Sequence, residues 1–235
     1  TKFMGGIPKY VDHYIVWGDS FRDFLIKSNF QKEKIAVLGS ALHDNFDNYL
    51  SSIDKNYILL TTSSPVKNLV KDLLIQTHIN YENSIKEICK ITKKLNQKLI
   101  IKLHPDFEEI DISNLLLKIN SDITILKNGN IFDLISSSKL LITIDLSTTI
   151  LESQILRKPV FTLSVKNYDF GTHELFTYDS QLMSEIENFE TKLTIFLNDQ
   201  QLQEKKNQDQ INYSKYYFSN LGNASNKILD FLVKL

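Results

Sequence analysis

Five polar clusters follow directly on apolar runs, and their residue types suit one kind of ligand. They are Thr61-Thr62-Ser63-Ser64, His104-Pro105-Asp106, residues 127–130 (KNGN), residues 145–149 (DLSTT) and residues 164–167 (SVKN). Hydroxyls and backbone amides donate hydrogen bonds without adding charge, and a helix start adds the positive end of its dipole. Neutral donors with one imidazole and two lysines suit a phosphate-bearing ligand. The run Asp145, Ser147, Thr148, Thr149 opens a helical pattern, so its side chains fit two roles: capping the helix or holding an anion. His104, placed before Pro105, either caps a turn or donates to a phosphate oxygen, and an imidazole titrates near neutrality. Glu152, in the first turns of the same pattern, reads as an ordinary helical carboxylate or as an acceptor for vicinal sugar hydroxyls. His104 and Asp145 are the first candidates for proton transfer. His43, His78 and His173 show no metal-ligand spacing with any partner, and the single cysteine, Cys89, excludes a cysteine-based zinc site. No metal and no cofactor is expected.

These clusters need elements to bring them together. Residues 139–160 (KLLITIDLSTTILESQILRKPV) read as strand, turn, helix, strand. Leu140 to Ile144 is a short β-branched run, the pattern of a strand buried on both faces. Ile150, Leu151, Ile155 and Leu156 follow at helical spacing, and Pro159 ends the helix before a second apolar run. From Tyr57 to Leu163 strands (57–61, 98–103, 123–126, 140–144, 160–163) alternate with helices (84–95, 115–119, 131–135 and the one after Asp145), with a mixed stretch over 67–77 that could form a short helix. That alternation predicts an α/β, Rossmann-like doubly wound parallel sheet, in which ligands sit at the carboxyl ends of the strands. All five clusters stand at such ends. The domain has no glycine-rich dinucleotide fingerprint and no phosphate-loop lysine motif, so a nucleotide would be held without a glycine cradle.

The first forty residues form a separate β-α-β unit: strand 13–17, a helix ending near Asn29, and strand 35–38. Residues 41–56 are polar and read as a linker or short helix. Residues 167–180 read as a surface loop, and helices are predicted over 185–197 and 223–235. Of the 235 residues, 42% are hydrophobic and 23% charged, as in ordinary globular proteins. A net charge of -1 gives no basic field for nucleic acid. No apolar run is long enough to span a bilayer and no signal peptide is visible, so cytoplasmic residence is the default. Cys89 lies in an amphipathic helix as a buried structural thiol. The chain opens at Thr1 with a strand close behind, which is expected of a piece of a longer protein.

The motifs 102–105 (KLHP), 130–143 (NIFDLISSSKLLIT) and 147–160 (STTILESQILRKPV) together resemble the donor-binding half of GT-B-type glycosyltransferases. The nearest group holds CDP-glycerol glycerophosphotransferases, surface-polysaccharide glycosyltransferases and UDP-N-acetylglucosamine 2-epimerases. Residues 11–25 (VDHYIVWGDSFRDFL) and 33–46 (EKIAVLGSALHDNF) resemble the passage joining the two lobes in that group, and 220–232 (NLGNASNKILDFL) its C-terminal helix. The resemblance implies the C-terminal half of a GT-B fold: 46–235 as the donor domain and 1–45 as the last β-α-β segment of an N-terminal acceptor lobe plus linker. It implies that His104 contacts a donor diphosphate, that Ser147, Thr148 and Thr149 hold phosphate, and that Glu152 holds ribose hydroxyls. Asn130, Ile131 and Phe132 would lie beside the base, and Thr62 and Ser63 would line the cleft. Ile144 stands eight residues before Glu152, where retaining members carry a second Glu, and Arg157 replaces a common Gly. That departure leaves inverting or phosphotransferase-like chemistry.

The implied function is transfer of a sugar or polyol phosphate from a nucleotide-activated donor, itself the substrate, to a glycan or lipid-linked acceptor in surface polysaccharide or capsule synthesis. The missing N-terminal lobe of the same protein is an implied partner, and through it peripheral association with the inner face of the membrane. Two other functions fit the residues: a non-hydrolysing nucleotide-sugar 2-epimerase, and a non-catalytic binding module that kept the fold and lost the chemistry.

Overall fold

The structure, a computed structural model, describes residues 10–50, 55–62, 71–104, 113–145, 147–165 and 181–235, and for 71–78 and 114–115 the backbone alone. The chain folds as β1 (Tyr14–Val16), α1 (Asp19–Lys27), β2 (Ile35–Val37), α2 (Asp47–Leu50) and β3 (Tyr57–Thr61). Next come α3 (Lys71–Lys94), β4 (Lys98–Lys102), α4 (Ser113–Ile119), β5 (Thr124–Leu126), α5 (Ile131–Ser136), β6 (Leu140–Ile144), α6 (Thr149–Ile155) and β7 (Val160–Leu163). The described chain ends with β8 (Leu182–Ser184), α7 (Ile186–Asn198), α8 (Gln200–Tyr217) and α9 (Ala224–Leu232).

Six strands form one sheet in the order β5-β4-β3-β6-β7-β8, every pair parallel. This is the doubly wound order, in which the direction of winding reverses between β3 and β6. Strands β3, β6 and β7 are buried at every position because helices cover both faces. Alternation sorts their side chains. Ile58, Leu60, Ile142 and Phe161 face a core completed by Ile85 and Ile88 of α3 and by Phe189 and Leu193 of α7. Leu59, Leu141 and Val160 face the other core, completed by Ile135 of α5, Ile150 and Ile155 of α6 and Tyr213 of α8. Cys89 is fully buried, and burial pushes its thiol up to about 12, so it stays protonated and inert.

Three elements go beyond the sequence expectation. Helix α3 begins at Lys71 and joins the mixed stretch to the expected helix. No glycine or proline interrupts it, and buried Tyr81, Ile85, Ile88 and Thr92 continue one stripe. Strand β8 lies between the expected surface loop and the helix expected from 185, where no strand was predicted. Helix α8 was hidden because polar residues occupy its buried stripe: Lys206, Gln210 and Tyr213.

β1 and β2 form a separate two-stranded parallel sheet, with Tyr14 opposite Ile35. The connector between α8 and α9 holds this unit. Ser219 N–H donates to Trp17 O at 2.7 Å, and Asn220 Nδ2 donates to Leu38 O at 3.2 Å. Trp17 stacks on Phe218 at 5.7 Å. Asp44 accepts from the backbone amides of Ala224 and Ser225, each at 2.7 Å, and so satisfies the exposed start of α9. Helix α9 therefore lies against the first unit rather than over the main sheet, with Phe231 edge-on to His13 at 5.2 Å.

Candidate functional site

A doubly wound sheet opens a crevice at the carboxyl ends of the strands where the winding reverses. Here that point lies between β3 and β6, with Thr61 opposite Thr143 in register. Thr61 and Thr62 end β3, and Asp145, Ser147 and Thr149 lead from β6 into α6. Their hydroxyls meet: Thr61 Oγ1 lies 3.1 Å from Thr149 Oγ1, and Ser147 Oγ lies 2.8 Å from Thr149 Oγ1. Ser147 Oγ also accepts from the Thr149 amide at 3.3 Å, so it caps α6. A chain of three hydroxyls uses two of its protons internally and leaves one to donate elsewhere. Thr148 is exposed at the N-cap position, with no side-chain capping bond.

The neighbouring strand adds His104. Its backbone amide donates to Thr62 Oγ1 at 2.7 Å, which fixes the start of the His104 turn against β3. Thr62 Oγ1 is an acceptor in that bond and keeps its own proton for donation. The sequence reading missed Lys102. Its Nζ donates to the carbonyls of Leu103 at 2.9 Å and Lys127 at 2.8 Å, tying the ends of β4 and β5 together. Burial holds its pKa below the usual lysine value. A lysine closing a strand was the available signal.

Asn130, Ile131 and Phe132 open α5 on the same rim. Asn130 Oδ1 accepts from the Phe132 amide at 2.9 Å, and Asn130 Nδ2 donates to the Tyr49 hydroxyl at 3.1 Å. The Asn130 side chain is therefore committed to capping. Phe132 stacks on Tyr49 at 5.3 Å and meets His43 edge-on at 6.0 Å, while Ile131 is half-buried. Tyr49 and His43 had no place in the sequence reading of the site. They come from the linker, and only the fold brings them here.

Asp145 is 7% exposed and adopts a left-handed backbone, φ 58°. Its Oδ1 accepts from the Val165 amide at 3.0 Å, and its own amide donates to Leu163 O at 2.7 Å. It tethers the end of β6 to the chain leaving β7. Aspartate tolerates this conformation better than most residues. Glu152 lies on α6 and is half-buried. Its Oε2 is sealed from solvent and has no hydrogen-bond partner among the described residues. Burial is the main cause that raises its pKa to about 7, against a smaller lowering by its own backbone amide. Ser63, Pro105, Asp106 and residues 166–167 lie outside the described residues. Among the described residues no group of His, Cys, Asp and Glu could hold a metal ion, and no helix is long and apolar enough to cross a membrane.

No family model and no curated protein matches this chain by sequence. Solved structures do match its fold. Over 95% of its length it superposes on the UDP-GlcNAc 2-epimerase of Methanocaldococcus jannaschii, solved with UDP-GlcNAc and UDP, at a TM-score of 0.65 and 19% identity. The chain has a GT-B-like fold. The wall teichoic acid polymerase TagF, soaked with CDPG, matches over 95% of the chain at a TM-score of 0.58 and 17% identity, covering 56% of TagF. Anabaena HepE, solved with UDP and glucose, matches over 97% at 0.53 and 13%, covering 64% of HepE. The chain spans 61% of the M. jannaschii enzyme and 62% of a Neisseria meningitidis UDP-GlcNAc 2-epimerase. That share, with its one six-stranded sheet, matches one lobe of a GT-B-like fold.

Proposed function

We propose that this chain is the donor-binding part of a GT-B-type glycosyltransferase or glycerophosphotransferase, and that it holds a nucleotide-activated sugar or polyol phosphate for surface glycan synthesis. The carrying observation is the hydroxyl chain Thr61–Thr149–Ser147 at the switch point, with Glu152 on the helix that Thr149 opens and its Oε2 unpartnered among the described residues. In this reading the amides and hydroxyls of Ser147, Thr148 and Thr149 take the phosphates, with Thr62, Ser63 and the His104 imidazole beside them. Glu152 accepts from ribose hydroxyls. The opening of α5 lies beside the base, which the backbone of Asn130 to Phe132 must read because the Asn130 side chain is engaged. Asp145 serves as a tether, which leaves His104 first for proton transfer. Residues 1–45 belong to an acceptor lobe, and the donor is substrate rather than cofactor.

A thermal-shift panel of UDP, CDP, CMP, GDP and their sugars tests this reading, because a ligand bound only by the native state raises the melting temperature. The expected result is a shift with one diphosphate family, reduced in His104→Ala, and little turnover without an acceptor lobe. No shift with any nucleotide makes the chain a non-catalytic module. One observation favours a second reading: UDP-GlcNAc 2-epimerases superpose at 0.60 to 0.65, slightly above TagF at 0.58 and 0.59. An epimerase would change UDP-N-acetylglucosamine with no acceptor present, and a glycosyltransferase would not.

A further inference from the structure

We infer that the site takes its ligand with release of a proton from Glu152, so that affinity for a ribose-bearing nucleotide depends on pH around neutrality. This rests on the reading of Glu152 as the acceptor for a vicinal diol. Glu152 Oε2 is out of contact with water and no donor among the described residues reaches it. A carboxylate in such a place is strongly disfavoured, whereas a carboxylic acid is tolerated. The acid would therefore be neutral before the ligand arrives, and burial raising its pKa to about 7 agrees.

The surrounding charges do not offset this. Helix α6 packs on α5, β6, β7 and α8. Of these, α5 carries Asp133, which is exposed, β6 leads into Asp145, and β7 carries no charge. On α8 the inward-facing titratable groups are Lys206, Asp209, Tyr213, Tyr216 and Tyr217, and Lys206 lies 3.8 Å from Asp209. None of these pairs with Glu152, and Arg157 and Lys158, at the end of its own helix, do not either.

A diol changes the balance. Two hydroxyls donating to the carboxyl stabilise its charged form and lower its pKa in the complex. The proton leaves to buffer as the diol binds. Free Glu152 is protonated below about 7 and bound Glu152 is ionised. Affinity therefore falls about tenfold per pH unit below that point and is flat above it. At cytoplasmic pH the site would sit on the shoulder of this curve, where a modest acidification loosens the donor.

The test is titration calorimetry with UDP-N-acetylglucosamine on the full chain, from about pH 5.5 to about pH 8, in two buffers of different ionisation heat at each pH. The doubly esterified diphosphate of this probe does not titrate near neutrality, so a proton released comes from the protein. The expected result is release approaching one proton below neutrality, lost with the 2′-deoxy analogue and in Glu152→Gln. CDP-glycerol is run in parallel and supports the inference by the same signature. Binding with equal affinity at all pH values and no buffer-dependent heat overturns the inference and leaves the functional reading standing. A pH dependence that survives in Glu152→Gln also overturns it, by assigning the proton to another group. Absence of binding by either probe at every pH overturns both. The buffer comparison on the unmodified chain decides the matter even if the variant fails to fold.

Discussion

Asp44 and Glu152 are both carboxylates near the start of a helix, and their surroundings are opposite. Asp44 reaches across from the linker to α9. Burial opposes its charge, yet the Ser225 side chain and the amides of Ser225 and Ala224 outweigh that and hold it below the usual carboxylate range. Glu152 sits on its own helix with one oxygen unmatched, and burial drives its pKa up to about 7. In the seam around Asp44 both carboxyl oxygens are met by amides, beside the Trp17–Phe218 stack and a close approach of backbones, and the buried atom there unmatched among the described residues is the neighbouring His43 Nε2. At Glu152 one buried carboxyl oxygen has no partner among the described residues. A finished polar group holds structure together, while an unfinished one marks where something else completes the set.

The largest effect should come from forcing the seam apart. Gly39 has φ 96°, and a Cβ there would lie 2.2 Å from Ser219 O and 2.8 Å from the Ala224 Cβ. Both a strained backbone and a clash with main chain follow. Gly39→Ala should lose about 4 kcal/mol in urea unfolding. A loss under about 1 kcal/mol would show that the first β-α-β unit is only loosely held, and the contrast with the crevice would collapse.

Next comes Asp44 itself. Asp44→Ala removes two charge-assisted bonds to the start of α9, at 2.7 Å each, and should cost about 3 kcal/mol near neutral pH. Its pH signature also separates it from Glu152. A carboxylate with a lowered folded pKa contributes stability above its unfolded value near 3.8, lost as pH falls through the folded pKa. The variant and the parent should therefore converge in acid.

Glu152 has the reverse sign. Its folded pKa is raised from 4.5 to about 7, so its contribution is whole below 4.5 and is lost as pH rises through about 7. Glu152→Gln keeps the shape and removes the buried charge. It should gain about 2 kcal/mol at about pH 8 and nothing at about pH 4, as read by denaturant melts at the two pH values. A variant less stable at pH 8 would mean that a partner satisfies the carboxylate.

Much of this architecture was written in local pattern. Strands β3, β6 and β7 are continuous apolar runs because both their faces are buried, and the hydroxyl cluster after each could be placed at a strand end from sequence alone. What escaped was of two kinds. Helix α8 buries Lys206 and Gln210, so its inward stripe looks polar. The Gln210 Nε2 instead donates to Lys158 O at 2.8 Å, a long-range contact that no helical periodicity encodes. The second kind is the convergence of distant residues. Tyr49 and His43 meet Phe132 only because the linker folds back on α5, and Lys102 matters through carbonyls on two different strands.

The smallest effect tests whether the hydroxyl chain is scaffold or ligand machinery. Thr61 is 4% exposed, and the hydrogen bond that its hydroxyl shares with Thr149 is 3.1 Å long. Thr61→Val replaces the hydroxyl with a methyl of similar size, so the space stays filled. Thr149 Oγ1 keeps Ser147 Oγ at 2.8 Å and is not left orphaned. The loss of stability should therefore stay below about 1 kcal/mol. Thr149→Val removes the middle of the chain and breaks both contacts, so it should cost more, and the double variant should cost less than the sum because one bond is counted in both singles. If the chain is ligand machinery, both variants weaken nucleotide binding in thermal-shift titrations by more than they weaken the fold. If stability and binding fall together in proportion, the hydroxyls are a scaffold at a strand crossing. The unfinished character of the crevice would then rest on Glu152 alone.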